Sequence, residues 1–206
     1  MELPAPCVPP RDAYALLTSI IVPRPIAWVS TTDGAGHHNL APFSFFSGLG
    51  SDPPTVTLAI SAHRLGGDKD SLRLMKQTRS FCISLVEEAD AVAMNATSAE
   101  LDPEISEFDV VGVAQAPCVA IPCVRVAHAR AAMECRLVDV HRYGNKTAVN
   151  LVVGEVVHFF VADSLWDAGN RCASGTAIAP LGRLGQTFYA GLKDRLSLAR
   201  PPRSPR

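Results

Sequence analysis

The sequence predicts a mainly β protein with inserted helices, folded as an antiparallel barrel of roughly six to eight strands. Short β-branched and apolar runs follow one another closely, with brief turns rich in glycine, proline and aspartate between them. Such short connections join antiparallel strands rather than parallel ones. Later in the chain, residues 148–161 are apolar on both faces apart from Glu155 and His158. Burial on both faces suits a central strand of a closed sheet.

The composition is that of a globular protein with a single core. The chain has 206 residues, of which 48% are hydrophobic and 19% charged. A formal net charge of −1 predicts no attraction to nucleic acid or to an anionic membrane. No window approaches the roughly 20 apolar residues of a membrane span. The six cysteines have no paired spacing, and the first residues do not resemble a secretory signal, so we expect a reducing, cytoplasmic setting.

Three regions are expected along the chain. Residues 1–10 contain four prolines and are predicted to form an extended arm. Residues 11–192 form one domain, which opens with a short amphipathic helix over Asp12–Thr18. Residues 193–206 are basic and proline-rich without an apolar period, and a flexible tail is expected there.

The domain continues with a predicted hairpin formed by Arg24–Thr32 and Asn39–Phe46. Two glycines in its turn supply the positive φ that a hairpin loop needs. The second strand places the small residues Ala41 and Ser44 among three phenylalanines. Backbone amides there could approach a flat aromatic ligand, with the aromatic side chains as walls. An ordinary core hairpin is the alternative interpretation.

The remaining elements follow from shorter patterns. We predict a strand over Thr55–Ser61, a helix over 69–77, a strand over Ser80–Val86, helices over Glu88–Ala96 and Glu104–Phe108, and strands over Met133–His141 and Ala148–Val161. In the strand from Met133, apolar residues occupy odd positions up to Leu137 and even positions from Val138. Because the faces of a strand alternate, this change of phase predicts a β-bulge.

Most sharp catalytic motifs are absent from the sequence. Two G-x-G pairs lack the third glycine of a dinucleotide fingerprint, and neither a P-loop nor a G-x-S-x-G elbow occurs. His37 and His38 have no partner at metal-ligand spacing, so we interpret them as polar loop residues and predict no metal site.

The start of the helix over 69–77 is a candidate anion site. If Gly67 or Asp68 caps this helix, free amides point outward at its N-terminus, namely those of Lys69, Asp70 and Ser71. These amides and the helix dipole would hold a phosphate, helped by the Lys69 ammonium and the Ser71 hydroxyl. Asp70 would then cap amides or pair with a basic neighbour. An ordinary capped surface helix is the alternative, and spacing alone favours it.

A series of short motifs in a fixed order resembles one known family. The motifs are Arg24-Pro25-Ile26-Ala27-Trp28-Val29-Ser30-Thr31, Asp33-Gly34, Asn39-Leu40-Ala41-Pro42-Phe43-Ser44-Phe45-Phe46, Asp52-Pro53-Pro54, Lys69-Asp70-Ser71, Ala93-Met94-Asn95-x-Thr97-Ser98, Glu107-Phe108 and Glu134-Cys135. Together, from about Pro23 to Tyr189, they resemble the flavin reductase-like family. Proteins of that family are FMN-binding split β-barrels and include flavoredoxin-type members.

The resemblance implies a homodimer that binds FMN along the second strand, near the subunit interface. Residues implied to contact the isoalloxazine and ribityl parts are Asn39, Ala41, Phe43, Ser44, Phe45 and Phe46. Residues implied to lie near the phosphate are Ser61, Lys69, Asp70 and Ser71, with Asn95 close by. As alternatives, the phenylalanines are core residues and Ser61 is a strand-end hydroxyl, while Arg24 and Trp28 serve packing or partner contacts.

Two departures from the family pattern affect the details of this implied site. Ser71 stands where the family usually has threonine, which keeps the hydroxyl, and Leu74 stands where it has asparagine. The family's late Arg-Leu-Gly-Gly appears as Arg183-Leu184-Gly185-Gln186, followed by Tyr189.

Two functions of different classes fit this resemblance. The first is an NAD(P)H-dependent flavin reductase, in which hydride passes from NADH or NADPH to flavin N5 and then to free flavin or a partner oxidoreductase. Such a transfer needs mainly stacking and distance, so no catalytic acid or base is predicted. His37, His38 and Tyr189 are the candidates if a residue assists. The second function is a non-enzymatic FMN electron carrier or flavin store. A structural barrel without cofactor is a third alternative.

Overall fold

The computed structural model describes residues 2–145, 147–192 and 194–201, and the chain is mainly β, as predicted. Its helices are α1 Pro10–Ile20, α2 Asp70–Thr78, α3 Ala91–Ala96 and α4 Glu107–Val111, with 3₁₀ turns at Ala5–Cys7 and Glu88–Asp90. Its strands are β1 Arg24–Pro25, β2 Ala27–Thr32, β3 His38–Phe43, β4 Phe46–Ser51, β5 Pro54–Ser61, β6 Ser80–Leu85, β7 Gln115–Pro117, β8 Val124–Val126, β9 Ala131–Tyr143, β10 Val149–Val161, β11 Trp166–Asp167, β12 Cys172–Ala173, β13 Leu181–Arg183 and β14 Tyr189–Gly191.

The main sheet has seven strands in the order β3-β2-β6-β9-β10-β5-β4, and all neighbours are antiparallel. Its two edge strands, β3 and β4, are joined in sequence by only Ser44 and Phe45. The sheet must therefore curl until its edges lie side by side, which makes it a barrel. The amide of Ala59 donates to the carbonyl of Phe45 at 2.8 Å and ties this link to β5. Among the described strands β3 and β4 form no ladder, so the barrel stays open along that seam.

This closure corrects the predicted strand Asn39–Phe46. The strand ends at Phe43, and the chain crosses to the opposite edge before β4 begins at Phe46. Strand β4, which contains Gly48 and Gly50, was not predicted. Its residues pair with β5 around an extra residue, Leu49, and this long-range pairing outweighs the low β propensity of glycine.

Strands β9 and β10, of 13 residues each, bend at two bulges. Val153 pairs with Asp139 and Gly154 with Leu137, so Val138 is the extra residue, and the predicted bulge is confirmed. A second bulge at Val157 was not predicted. Bulges increase local twist, which helps a long strand pair to follow the curve of a barrel.

Two apolar clusters hold the helices against the sheet. The larger one fills the barrel and includes Leu72 and Met75 of α2 together with Phe81 of β6. The second cluster centres on Trp28 of β2, and it secures α3 and α4 through residues such as Met94 and Phe108. Helix α2 is therefore amphipathic and buries the face that carries Leu72 and Met75.

Several boundaries differ from the predictions. Residues 1–10 are not uniformly extended, since Ala5–Cys7 form a 3₁₀ turn and α1 already begins at Pro10. The helix expected from Glu104 begins at Glu107. In the predicted tail, residues 194–201 contain no helix or strand, whereas Lys193 and residues 202–206 lie outside the described part of the chain. Among the described helices, none is both long and apolar enough to cross a membrane.

Gly154 beside the first bulge is predicted to tolerate no side chain. A Cβ there would lie 2.4 Å from Cζ of Phe81, whose ring is fully buried. We expect Gly154→Ala to lower the free energy of unfolding by about 1–3 kcal/mol because the core would be overpacked. Gly48→Ala is the control, since a Cβ at Gly48 meets nothing within 4 Å. Equal unfolding midpoints in urea for the two variants would contradict this packing.

Candidate functional site

The candidate site is a groove made of two adjoining cavities. The smaller, of about 140 Å³, lies at the start of α2 and is lined by residues that include Asn39, Ala41, Phe43, Lys69, Asp70 and Ser71. The larger, of about 770 Å³, lies between α1 and the chain around Arg24 and Tyr189. Pro42, Phe43 and Ser98 line both cavities. The end of strand β3 is therefore the wall that the two cavities share.

Helix α2 presents an uncapped N-terminus to the smaller cavity. It begins at Asp70 with Lys69 at the N-cap position, and no side chain caps its first turn. The expected cap at Gly67 or Asp68 is therefore wrong: the Asp68 carboxylate accepts from Lys76 Nζ at 2.7 Å instead. Asp70 pairs with Arg73 at 2.8 Å, as expected. The open amides lie one residue further along than predicted, on Asp70, Ser71 and Leu72.

The ammonium group of Lys69 is the one lysine or arginine charge among the described residues that line this cavity. Within the described part of the chain this ammonium has no hydrogen-bond or ion-pair partner. Of the carboxylates on the same wall, Asp70 and Glu100 pair with arginines, whereas Asp102 forms no described ion pair. A free ammonium beside open helix amides makes a site for an anionic group, because both the dipole and the charge are favourable to it.

Below this cavity lies a buried polar network that centres on Glu107 of α4. Its carboxylate accepts both from Asn39 Nδ2, at 2.8 and 2.9 Å, and from the Leu40 amide at 2.8 Å. Asn39 Oδ1 in turn accepts from the Ser71 hydroxyl at 2.7 Å. Burial of the Glu107 carboxylate raises its pKa, and its hydrogen bonds offset only part of that effect.

This network decides what Asn39 and Ser71 can offer a ligand. A carboxylate only accepts hydrogen bonds, so Glu107 fixes the Asn39 amide with its nitrogen toward α4 and its oxygen toward Ser71. The Ser71 hydroxyl donates its single proton to that oxygen. An anion at the helix start would therefore meet the amide of Ser71 rather than its hydroxyl. The predicted FMN contacts of both residues stay predictions.

The three phenylalanines do not share one surface. Phe43 ends β3 and lines both cavities of the groove. Phe45 packs edge-on against Tyr14, with ring centroids 6.1 Å apart, and lies 5.8 Å from the Arg24 guanidinium. Phe46 lines a separate apolar cavity of about 570 Å³ on the other side of the seam. The crossing between β3 and β4 separates them.

The structure places the other predicted residues at varying distances from the groove. Ser44 lines the larger cavity, where its Oγ accepts from Arg24 Nε at 3.3 Å. Ser61, at the exposed end of β5, is not among the lining residues. Exposed Asn95 borders the groove indirectly, since its Oδ1 accepts from the hydroxyl of Tyr189, a lining residue, at 2.9 Å. His37 and His38 are not among the lining residues of either cavity.

Two residues that shape the groove, Glu107 and Arg24, had no clear signal in the sequence. Glu107 reaches Asn39 across 68 residues of sequence, and only its place in the family motifs marked it. Arg24 is 4% exposed, and its guanidinium donates to the carbonyls of Thr18, Ile21 and Leu184. Desolvation lowers the pKa of Arg24. Arg24 thus packs as a buried cation, one of the alternatives that the sequence left open.

Comparison with known families identifies the class of this protein. Residues 19–174 match the family model of the flavin reductase like domain, so the chain belongs to the flavin reductase-like family. The smaller cavity lies wholly within the matched residues, whereas most residues that line the larger cavity lie before or after them.

Solved structures agree with this assignment. The chain is similar to 2-nitrobenzoate 2-nitroreductase from Pseudomonas fluorescens, with a TM-score of 0.89, 28% identity, and coverage of 100% of this chain and 98% of the other. It is also similar to component B of nitrilotriacetate monooxygenase from Bacillus cereus, with a TM-score of 0.90, 28% identity, and coverage of 96% and 98%. A putative flavin reductase with a split barrel domain from Shewanella frigidimarina has a TM-score of 0.79 at 21% identity, with coverage of 97% and 96%. That similarity concerns the fold, which is a split barrel.

The raised pKa of Glu107 predicts a pH-dependent stability. Between the ordinary pKa of 4.5 and the raised value, the folded protein holds a proton that the unfolded chain releases. The contribution of Glu107 to the free energy of unfolding therefore falls as pH rises through this window. We expect the difference in unfolding free energy, wild type minus Glu107→Gln, to decrease as the pH rises above the ordinary glutamate pKa of 4.5.

The control for this experiment is Glu100→Gln, which changes an exposed carboxylate of the same cavity. The pH dependence of its difference from wild type gives the background against which the Glu107→Gln difference is compared. A Glu107→Gln difference that is flat or increases with pH would show that Glu107 is not held in this buried network. Urea unfolding at each pH gives the measurement.

Proposed function

We propose that the protein binds FMN in the groove and acts as an NAD(P)H-dependent flavin oxidoreductase. The observation that carries the proposal is the unpaired Lys69 ammonium beside the open N-terminus of α2, directly adjoining the end of strand β3. The flavin reductase-like family supplies the chemical context for such a site. The six cysteines of this chain are all free, which favours a reducing compartment, and we propose that the protein lies in the cytoplasm. Cell fractionation can test this location.

The residues of the groove fit the two ends of FMN. A phosphate is a dianion that accepts hydrogen bonds, and Lys69 together with the first-turn amides of α2 would hold it. The isoalloxazine is flat and largely apolar, and it would lie against Ala41, Phe43 and Ser44, where small side chains leave backbone amides accessible. The two cavities meet at Phe43, so one elongated ligand can occupy both.

When bound, FMN would supply the redox chemistry by taking hydride at N5 from NADH or NADPH and passing electrons to an acceptor. The protein would bind and orient both molecules. The larger cavity, of about 770 Å³, favours an enzyme over a simple carrier, because it leaves room for a second molecule beside the proposed ring position. Of the candidates for an assisting side chain, Tyr189 is the one that lines this cavity.

The acceptor belongs to this proposal as well. One similar protein is named as a nitroreductase and another as a component of a monooxygenase. We infer two classes of acceptor from these names: a nitroaromatic compound that enters the groove, or a partner oxygenase that receives reduced flavin. Free flavin as the acceptor belongs with the second class, because the reduced free flavin would then be passed to the partner oxygenase.

We also propose a homodimer, because an apolar surface adjoins the site. The cavity of about 570 Å³ is lined by Phe46, Phe159 and Trp166 among other residues, and the last two are 56% and 46% exposed. A second copy of the chain would cover this surface.

Sedimentation equilibrium should give a dimer, and Phe159→Glu should shift the equilibrium toward the monomer. A wild-type monomer that binds FMN normally would contradict the proposal.

Lys69→Ala should weaken FMN binding through loss of a charge-assisted contact. The expected cost is about 1.5–3 kcal/mol of binding free energy. Lys76→Ala is the matched control, since Lys76 lies on the same helix but pairs with Asp68. Quenching of flavin fluorescence gives both dissociation constants. An unchanged constant for Lys69→Ala, or an equal loss in both variants, would remove Lys69 from the proposed site.

Anaerobic titration with NADH and NADPH separates the reductase from the carrier. If the protein is a reductase, its bound flavin should bleach within seconds, and one nucleotide should act faster than the other. Free FMN at the same concentration is the control. Bleaching no faster than that of free FMN would exclude the reductase and leave an electron carrier or flavin store.

A further inference from the structure

We propose that the larger cavity accepts a planar aromatic molecule that carries a carboxylate, with Arg183 as the residue that binds the carboxylate. This inference rests on the proposed function, since the ligand would lie beside FMN in the groove. It specifies the class of small molecule that the site accepts.

The charge on the cavity wall is the first observation. Arg24 on β1 and Arg183 on β13 are direct cross-strand partners, and both line the cavity. Like charges directly opposite each other destabilise a sheet, and the proximity of Arg183 contributes to the lowered pKa of Arg24. Neither guanidinium forms an ion pair with any described carboxylate, and Asp12 is the one acidic residue in the lining. A bound anion would relieve this repulsion.

Of the two arginines, Arg183 is the one whose guanidinium has several unused hydrogen-bond donors. Arg24 already donates to three carbonyls and to Ser44. In contrast, the Arg183 guanidinium uses Nη2 for the carbonyl of Gln186 at 2.6 Å, and no other described group accepts from it. Its carbon lies 4.3 Å from the centroid of the Tyr189 ring, the next residue in the cross-strand row. A planar guanidinium held in this way matches the two oxygens of a carboxylate.

The rest of the lining indicates the shape of the ligand. Aromatic and apolar side chains supply most of the wall, including Tyr14, Ile26, Phe43, Met94 and Tyr189. The hydroxyls of Thr18, Ser19 and Ser98 are bonded to carbonyls of their own helices or turns. Tyr14, Ser44 and Gln186 add neutral polar groups to the lining. The cavity therefore offers a flat ring aromatic contacts on its walls, and Arg183 is its charged group with unused donors.

The test compares 2-naphthoate with its neutral isostere 2-naphthamide as ligands of the FMN-loaded protein, by isothermal titration calorimetry. Wild type should bind the carboxylate on the order of tenfold to a hundredfold more tightly than the amide. Arg183→Gln should abolish this preference, and Arg183→Lys should restore only part of it, because lysine lacks the planar fork. Arg11→Gln is the matched control, since Arg11 is an exposed arginine of α1 outside the lining.

Two results would overturn the inference. Equal affinity of wild type for the two ligands would exclude a carboxylate site. A loss of FMN affinity in Arg183→Gln as large as its loss of naphthoate affinity would assign the guanidinium to the flavin instead. Failure of the proposed function would give a different result. In that case the wild-type protein would not retain FMN, and this is measured independently of its affinity for the two naphthalene compounds.

Discussion

The groove beside helix α2 keeps its shape because one buried carboxylate holds three elements together. Glu107 of α4 accepts hydrogen bonds from the Asn39 side chain and the Leu40 amide of β3, and Asn39 in turn holds Ser71 of α2. Burial of a charge is costly unless its hydrogen bonds are well satisfied, and here every contact comes from an oriented donor. The helix start that faces the cavity is therefore positioned by a network whose members, Asn39, Ser71 and Glu107, also line that cavity.

The second determinant of the site is the way the barrel closes. Only Ser44 and Phe45 separate the two edge strands, so the chain crosses from one edge of the sheet to the other within two residues. This link contacts both Tyr14 of α1 and the buried guanidinium of Arg24. Arg24 joins α1, β1 and the carbonyl of Leu184 by hydrogen bonds. The larger cavity is thus enclosed by segments from both ends of the chain that meet at the seam.

Local patterns in the sequence were sufficient for much of the fold. The β content, helix α2 and the bulge at Val138 followed from sequence patterns. For Asp70, amide capping or pairing with a basic neighbour was expected, and the structure shows the pairing, with Arg73. Within the site, Lys69, Ala41 and Phe43 line the same cavity, and their implied contacts with FMN stay predictions. The break at Ser44 did not follow, because a continuous apolar run contains no signal that the strand changes sheet edge. Nor did the inward orientation of Asn39 follow, because it depends on Glu107, which is distant in sequence.

The central claim is that this groove holds FMN, and the visible absorption spectrum tests it most directly. The purified protein is incubated with excess FMN, passed through a desalting column and scanned. We predict a yellow protein whose flavin bands are shifted and structured relative to free FMN, with about one flavin per chain. A colourless protein fraction, with all flavin in the small-molecule fraction, would contradict the account.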